Sequence, residues 1–413
     1  MLVENRFATR APYSEDLRAI MSVAKAQESR AWLSHWPELT REATPLLSLS
    51  GLAASLGVAR IDLKDESRRA VLGSFKALGA PIALVRLIQR KWPNKAFAAK
   101  DLFLGKHARE LRDFTVISAT DGNHGRALAA AAHDIGCRCV IVLHKNVSEE
   151  RERSIASHGA TIVRIAGNYD ASVEEAARQA AQNGWFVVSD TSYDGYEEIP
   201  RDVMQGYGAI PAEILEQRGA DAGGACPYTH VFLQGGVGGL AAGVASYLWE
   251  VYGARRPTFI VVEPQQADCL YQSAIAGQAA NATGSVDSVM AGLACGETSP
   301  LAWRFLQPSV DFFLTIEDDE AIEAMRLLAK GNDQDIPLVS GESGVAGLAG
   351  LAHLARDPEL KRRTGLGADA KILLISTEGA TAPTVYQKLV GRSAQEVWAA
   401  GETHREAARL AKL

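Results

Sequence analysis

Cysteine is scarce in this chain: there are five in 413 residues, an odd number. That excludes a disulfide-built scaffold. Cys137 and Cys139 flank one residue inside an apolar run and read as core. Cys269 and Cys295 lie in separate glycine-rich stretches that a fold could bring together. Reduced thiols in a cytoplasmic protein are the expectation. Positive charge is not in excess either. The 43 Lys and Arg stand against 49 Asp and Glu, for a net charge of −6. Such a balance gives no electrostatic reason to bind nucleic acid or an anionic membrane. The opening segment, Met1 to Asp16, lacks the apolar centre of an export signal. The longest run without Asp, Glu, Lys or Arg, 222–249, has the length of a membrane span. It is interrupted by Pro227, His230, Gln234 and the glycines from Gly235 to Gly239, so a buried strand, loop and helix are expected instead. No HExxH, paired CxxC or GxSxG pattern is present, which removes the zinc-peptidase and serine-hydrolase readings, and no metal site is expected.

What is present is an ordinary globular composition, with 47% hydrophobic and 22% charged residues. The length suits two domains, or one large α/β unit with an inserted lobe. The middle of the chain alternates short β-branched runs with helical patterns. Strands are predicted at 114–119, 138–143, 161–165 and 185–189, and helices at 125–134, 148–157 and 171–182. The alternation resumes with strands at 230–233 and 258–262, a helix from Leu240, and a last strand at 371–375. Such alternation predicts α/β architecture with parallel strands and crossover helices. The strands between about 115 and 190 are expected to form a lobe that the chain enters and leaves. The division drawn from this is a large domain of 1–88 and 195–413, and a small domain of 89–194.

Three segments carry candidate chemistry. Gly73-Ser74-Phe75-Lys76 opens an apolar helix. Read alone, Lys76 is either a surface lysine at a helix start or a partly buried amine, which burial would make more nucleophilic. Thr120-Asp121-Gly122-Asn123-His124-Gly125 lies where a strand gives way to a helix. Asp121 and Asn123 either cap that helix or project into the crevice where open parallel sheets bind ligands. His124 draws no role from the sequence. Gln234 to Leu240, containing Gly235, Gly236, Val237, Gly238 and Gly239, reads as a phosphate cradle, because glycine lets backbone N–H groups approach an anion at a helix N-terminus. The same segment also approaches a dinucleotide fingerprint, with Gly236, Gly238, Ala241 and then Glu263. The turn Gly341–Gly344 holds Glu342, a cap or a supporting group.

Taken in order, these segments resemble the pyridoxal-phosphate enzymes of the tryptophan-synthase β type, fold type II. The resemblance rests on Thr44-Pro45-Leu46, Lys64-Asp65-Glu66, Ser74-Phe75-Lys76, Gly122-Asn123-His124, Gly235–Gly239 and Ser376-Thr377-Glu378-Gly379. Thr120 to Arg126, Asp190-Thr191, Gly195-Tyr196, Met204 to Tyr207, Ala291 to Glu297 and Ser340 to Gly344 are similar to the 2,3-diaminopropionate ammonia-lyases. The chain departs from that pattern at Ala380-Thr381-Ala382, where acidic residues are expected. The resemblance implies two lobes, each with a mostly parallel sheet flanked by helices, and pyridoxal 5′-phosphate as cofactor. It implies that Lys76 bonds the cofactor, with Phe75 beside it. Gly235–Gly239 would hold the phosphate, Asn123 the ring hydroxyl, and Thr377 (with Ser376 second) would face the ring nitrogen. A neutral hydroxyl there favours β-elimination over transamination. Lys76 and Asp121 would serve as bases on opposite faces, allowing both enantiomers to react, and Asp190 would steer the distal ammonium or assist proton transfer. The expected reaction is the conversion of 2,3-diaminopropionate to pyruvate and two ammonia, in a homodimer whose partner is a small amino acid. The alternatives are a serine, threonine or 3-hydroxyaspartate dehydratase using the same cofactor, and a nicotinamide-dependent oxidoreductase.

Overall fold

The structure, a computed structural model, describes all residues except 121, 168, 220–223 and 411–413. Eleven strands are present among the described residues, in chain order: β1 (Leu2–Glu4), β2 (Leu46–Ser48), β3 (Arg60–Asp65), β4 (Thr115–Ala119), β5 (Arg138–Leu143), β6 (Thr161–Arg164), β7 (Phe186–Val187), β8 (His230–Gln234), β9 (Thr258–Pro264), β10 (Phe312–Ile316) and β11 (Lys371–Ser376). They form two sheets in two compact units. One unit comprises Met1–Arg18, Thr44–Arg68 and Ile210–Leu413, the other Ala19–Ala43 and Arg69–Ala209.

The first unit holds seven strands in the order β1-β10-β9-β8-β11-β3-β2. The five inner strands are parallel, and the short edge strands β1 and β2 run antiparallel to their neighbours. The inner strands are buried on both faces, which is why they read as near-continuous apolar runs. β3 is the exception, since it carries Asp62, Lys64 and Asp65 into the interior. Lys64 is fully buried, and its Nζ donates to Thr44 O at 2.7 Å, Glu213 Oε2 at 2.7 Å and Gln217 Oε1 at 2.9 Å. A buried ammonium persists only when paired and hydrogen-bonded in this way. The Thr44 hydroxyl in turn donates to Glu66 Oε1 at 2.7 Å. Thr44 and the Lys64-Asp65-Glu66 segment thus build one polar knot.

The second unit holds four parallel strands in the order β6-β5-β4-β7. The alanine-rich helix Asn123–Ile135 packs on β5. This unit takes in more chain than 89–194. The helix Ala80–Lys91 lies against both the helix Asn123–Ile135 and the helix Glu198–Tyr207, and the helix Val23–Leu33 packs on Glu198–Tyr207 and Ala80–Lys91. From residue 224 the uncharged run becomes β8, a glycine loop and the helix Gly239–Tyr252. Among the described residues no helix is long and apolar enough to cross a membrane.

The helix Glu198–Tyr207 approaches the chain at Leu78 closely. A Cβ on Gly206 would lie 2.0 Å from Leu78 O, and one on Gly79 would lie 2.7 Å from Val203 Cγ1. Backbone on one side of this contact leaves nothing that can yield cheaply. Gly206→Ala is therefore expected to destabilise the protein by about 2 kcal/mol or more. A thermal melt checks this, and an unchanged midpoint would contradict the close packing.

Candidate active site

In the four-stranded unit the candidate groups come together from three segments. Ser74 caps the short 3₁₀ turn Phe75–Leu78, its Oγ accepting from Lys76 N. That turn projects Lys76, whose Nζ forms an ion pair with Asp190 Oδ2. The Lys76 and Asp190 side chains are 19% and 17% exposed, so the pair is shielded yet reachable. Burial would raise the Asp190 carboxyl, but Lys76 and His124 outweigh it and hold the group well below the ordinary carboxylate range.

The chain leading to Asp190 is pinned on both sides. The Tyr196 hydroxyl accepts from Ser189 N at 2.9 Å and donates to Val187 O at 3.0 Å. His124 Nε2 lies 2.8 Å from Val188 O. The Phe75 and Tyr207 rings meet with centroids 4.8 Å apart, and Lys76 Nζ lies 5.2 Å from the Phe75 centroid. Burial pushes the Tyr207 hydroxyl up, and Lys76 and Asp190 are the charges that bear on it. Asn123 is the first residue of the helix Asn123–Ile135, whose cap position is Gly122. Asp121 lies outside the described residues. The Thr120 hydroxyl shapes the turn by accepting from Gly122 N and Gly125 N, at 3.1 and 3.3 Å. This loop follows β4, whose neighbours β5 and β7 lie on opposite sides. It is a switch point of the kind where open parallel sheets bind ligands.

The seven-stranded unit presents a second such point, between β8 and β11. Gly235–Gly239 follows β8. Gly236 and Gly238 take φ of 67° and 101°, a left-handed backbone that side chains strain. A Cβ on Gly235 would lie 2.4 Å from Glu263 Cγ, and one on Gly238 2.8 Å from Leu306 Cδ1. Gly235 and Gly238 therefore have no room for side chains, and the loop runs straight into the N-terminus of the 14-residue helix Gly239–Tyr252. Bare backbone N–H groups at the positive end of a helix suit a phosphate.

Thr377 is buried just past the end of β11. Ser376, the second candidate, donates its hydroxyl to Ser340 Oγ at 2.7 Å. Gln234 Nε2 ties the end of β8 to Ile375 O and Gly344 O, at 2.6 and 2.8 Å. The Gly341–Gly344 turn packs on 378–379: Gly341 N donates to Glu378 O at 2.9 Å, and Ser343 N to Glu378 Oε1 at 3.2 Å. Glu263, which a dinucleotide site would need at a ribose, is fully buried. Its oxygens accept from Leu270 N at 3.0 Å and Tyr271 N at 2.7 Å, at the start of the helix Cys269–Ala276. Cys269 Sγ donates to Gly236 O at 3.4 Å, and none of the five cysteines is in a disulfide.

The four-stranded unit thus offers an amine against a carboxylate, and the seven-stranded unit a glycine turn at a helix N-terminus beside a strand end with hydroxyls. A family model for pyridoxal-phosphate dependent enzymes matches residues 38–378. The diaminopropionate ammonia-lyase of Salmonella typhimurium is 40% identical over 363 residues, spanning 85% of this chain and 89% of the relative. The chain belongs to the diaminopropionate ammonia-lyase family of pyridoxal-phosphate-dependent enzymes. Crystal structures of the Escherichia coli member agree in fold. One is in complex with an aminoacrylate-PLP azomethine reaction intermediate, at a TM-score of 0.83. Another is in complex with D-serine, at 0.84. Each is 36% identical, covering 94% of this chain and 96% of the other.

Within this family fold, sequence reasoning missed His124, Tyr207 as a neighbour of Lys76, and Gln234 as the tie between β8 and β11. Only the position of Gln234, directly before the glycines, gave a usable signal. The dinucleotide reading fails at Glu263, because that carboxyl is committed to the helix behind the loop.

Burial without a cation pushes the Glu263 carboxyl up to about 8, against the backbone donors that oppose the shift. The folded chain then keeps a proton that the unfolded chain releases, so this group makes stability fall as pH rises from the ordinary carboxylate range to about 8. Relative to Glu263→Gln, the wild-type melting temperature should drop as pH goes from 5 to 8. A constant difference between the two would contradict the buried neutral acid.

Proposed function

We propose that this protein eliminates both amino groups of 2,3-diaminopropionate, giving pyruvate and two ammonia. The observation that carries the reading is the shielded Lys76–Asp190 pair. Bound pyridoxal phosphate supplies an electron-withdrawing ring that stabilises the charge left at Cα. On this reading the backbone of Gly235–Gly239, Val237 included, holds the phosphate. Asn123 bonds the ring hydroxyl, Thr377 faces the ring nitrogen with a neutral hydroxyl, and Phe75 supports the lysine. Lys76 would bond the cofactor, and its amine would accept the Cα proton on one face. Asp121 does so on the other face, which opens the site to both enantiomers.

Asp190 attracts the distal ammonium of the substrate, and opposite charges act strongly in a partly dry site. A hydroxy-amino acid offers Asp190 no cation, so serine is expected to react more slowly than diaminopropionate. The working form on this reading is a homodimer in the cytoplasm. The cysteines outside any disulfide and the acidic net charge are in keeping with that setting.

The test is direct. Purified enzyme with pyridoxal phosphate is given each enantiomer of diaminopropionate, and D- and L-serine, with pyruvate followed continuously. Diaminopropionate should give the higher kcat/KM. Asp190→Asn should lower it by about 100-fold or more, and Asp121→Asn should silence one enantiomer while sparing the other. No pyruvate from either diaminopropionate enantiomer would overturn the substrate. Equal loss on both enantiomers would overturn the two-base scheme.

A further inference from the structure

His124 has no part in the scheme above, yet its surroundings define what it can do. It is 3% exposed, at the second position of the helix Asn123–Ile135. Nε2 lies 2.8 Å from Val188 O. A carbonyl oxygen only accepts, so Nε2 carries a hydrogen in every protonation state of the ring. The one atom left to gain or lose a proton is Nδ1. Among the described residues Nδ1 has no hydrogen-bond partner, and it lies 3.9 Å from Asp190 Oδ2. That is the oxygen Lys76 Nζ contacts. One carboxylate oxygen therefore faces two basic nitrogens.

Among the described residues, Lys76 on the turn Phe75–Leu78 and Asp190 beyond β7 are the charged groups that bear on the ring. They act in opposite senses. Burial disfavours the imidazolium first, Asp190 favours it, and the charge on Lys76 disfavours it. A single negative charge can balance one neighbouring cation in a shielded site. Two would leave an excess charge away from water.

We propose that His124 is a positioning residue that shares one proton with Lys76 across Asp190. When Lys76 is an ammonium, His124 is neutral and leaves Asp190 to the amine. When Lys76 gives up its charge, Nδ1 takes a proton and pairs with Asp190, so the carboxylate keeps its place and its negative charge. The step is a proton transfer alone: an N–H bond at Nζ breaks, an N–H bond at Nδ1 forms, and Asp190 Oδ2 lies between them. No electrons change hands. The inference rests on Lys76 being the reacting amine, but the coupling belongs to three side chains and needs neither cofactor nor substrate to be seen.

The test uses the full chain without added cofactor, with ring-¹⁵N histidine. The ring nitrogen shifts are followed from pH 5 to 9, and the His124 signals are assigned by their loss in His124→Gln. The wild type should show a neutral ring with its hydrogen on Nε2 at pH 7. Lys76→Met should raise the His124 midpoint by about one pH unit or more, a tenfold gain in protonation. Lys76→Arg, which keeps the cation, should leave the midpoint at its wild-type value. Asp190→Asn should lower it. A midpoint that stays fixed in both Lys76→Met and Asp190→Asn overturns the proposal. Should one of these two variants fail to fold by circular dichroism, the other decides alone. A purely structural histidine would give the fixed midpoint. Failure of diaminopropionate turnover would leave this result untouched, so the two readings fail separately.

Discussion

An amine that must react as a nucleophile has to be shielded from water, and a shielded ammonium needs a counter-charge. On the proposed function the Lys76–Asp190 pair meets both demands, and much of the four-stranded unit holds it in place. Tyr196 and His124 clip successive backbone groups of Val187, Val188 and Ser189, so Asp190 leaves β7 in a fixed direction. Ser74 caps the turn that carries Lys76, and Gly206 lets the helix Glu198–Tyr207 close on the backbone at Leu78. The Phe75 ring lies beside the amine and packs against Tyr207. The parts are ordinary packing and capping devices, and their sum is one oriented carboxylate.

The same logic governs the seven-stranded unit. There the proposed phosphate would need bare backbone N–H groups at the start of a helix, and glycine stands where side chains would strike Glu263 or Leu306. Gln234 fastens the end of β8 to the end of β11, which fixes the loop relative to Thr377. Each unit thus carries candidate groups beyond the C-terminal ends of parallel strands, where strand order reverses.

How far the sequence could be read follows from where the forces come from. The strands β4 to β6 are visible because each is a short β-branched run between helical patterns, and β8, β9 and β11 for the same reason. β3 is not visible. Its Asp62, Lys64 and Asp65 look like surface, and Lys64 is tolerated inside only because Glu213 and Gln217 lie about 150 residues away in sequence. β10, β1 and β2 escape notice too: the two edge strands are three residues each, too short for a period to register. Among the candidate residues, Lys76, the glycine loop and Thr377 stand in local motifs and could be named from them. His124 could not, because the groups that define it, Val188 and Asp190, are brought to it by the fold across more than sixty residues. Glu263 misleads on its own, since a carboxylate ending the strand after a glycine loop fits a ribose until its neighbours are known.

The account stands on Lys76 being the amine that bonds the cofactor, and covalent trapping tests that most directly. Purified protein mixed with pyridoxal phosphate and reduced with borohydride should carry one pyridoxyl group per chain, found by peptide mass analysis on the peptide containing Lys76. A stoichiometric label on any other lysine, with Lys76 unmodified, would contradict it.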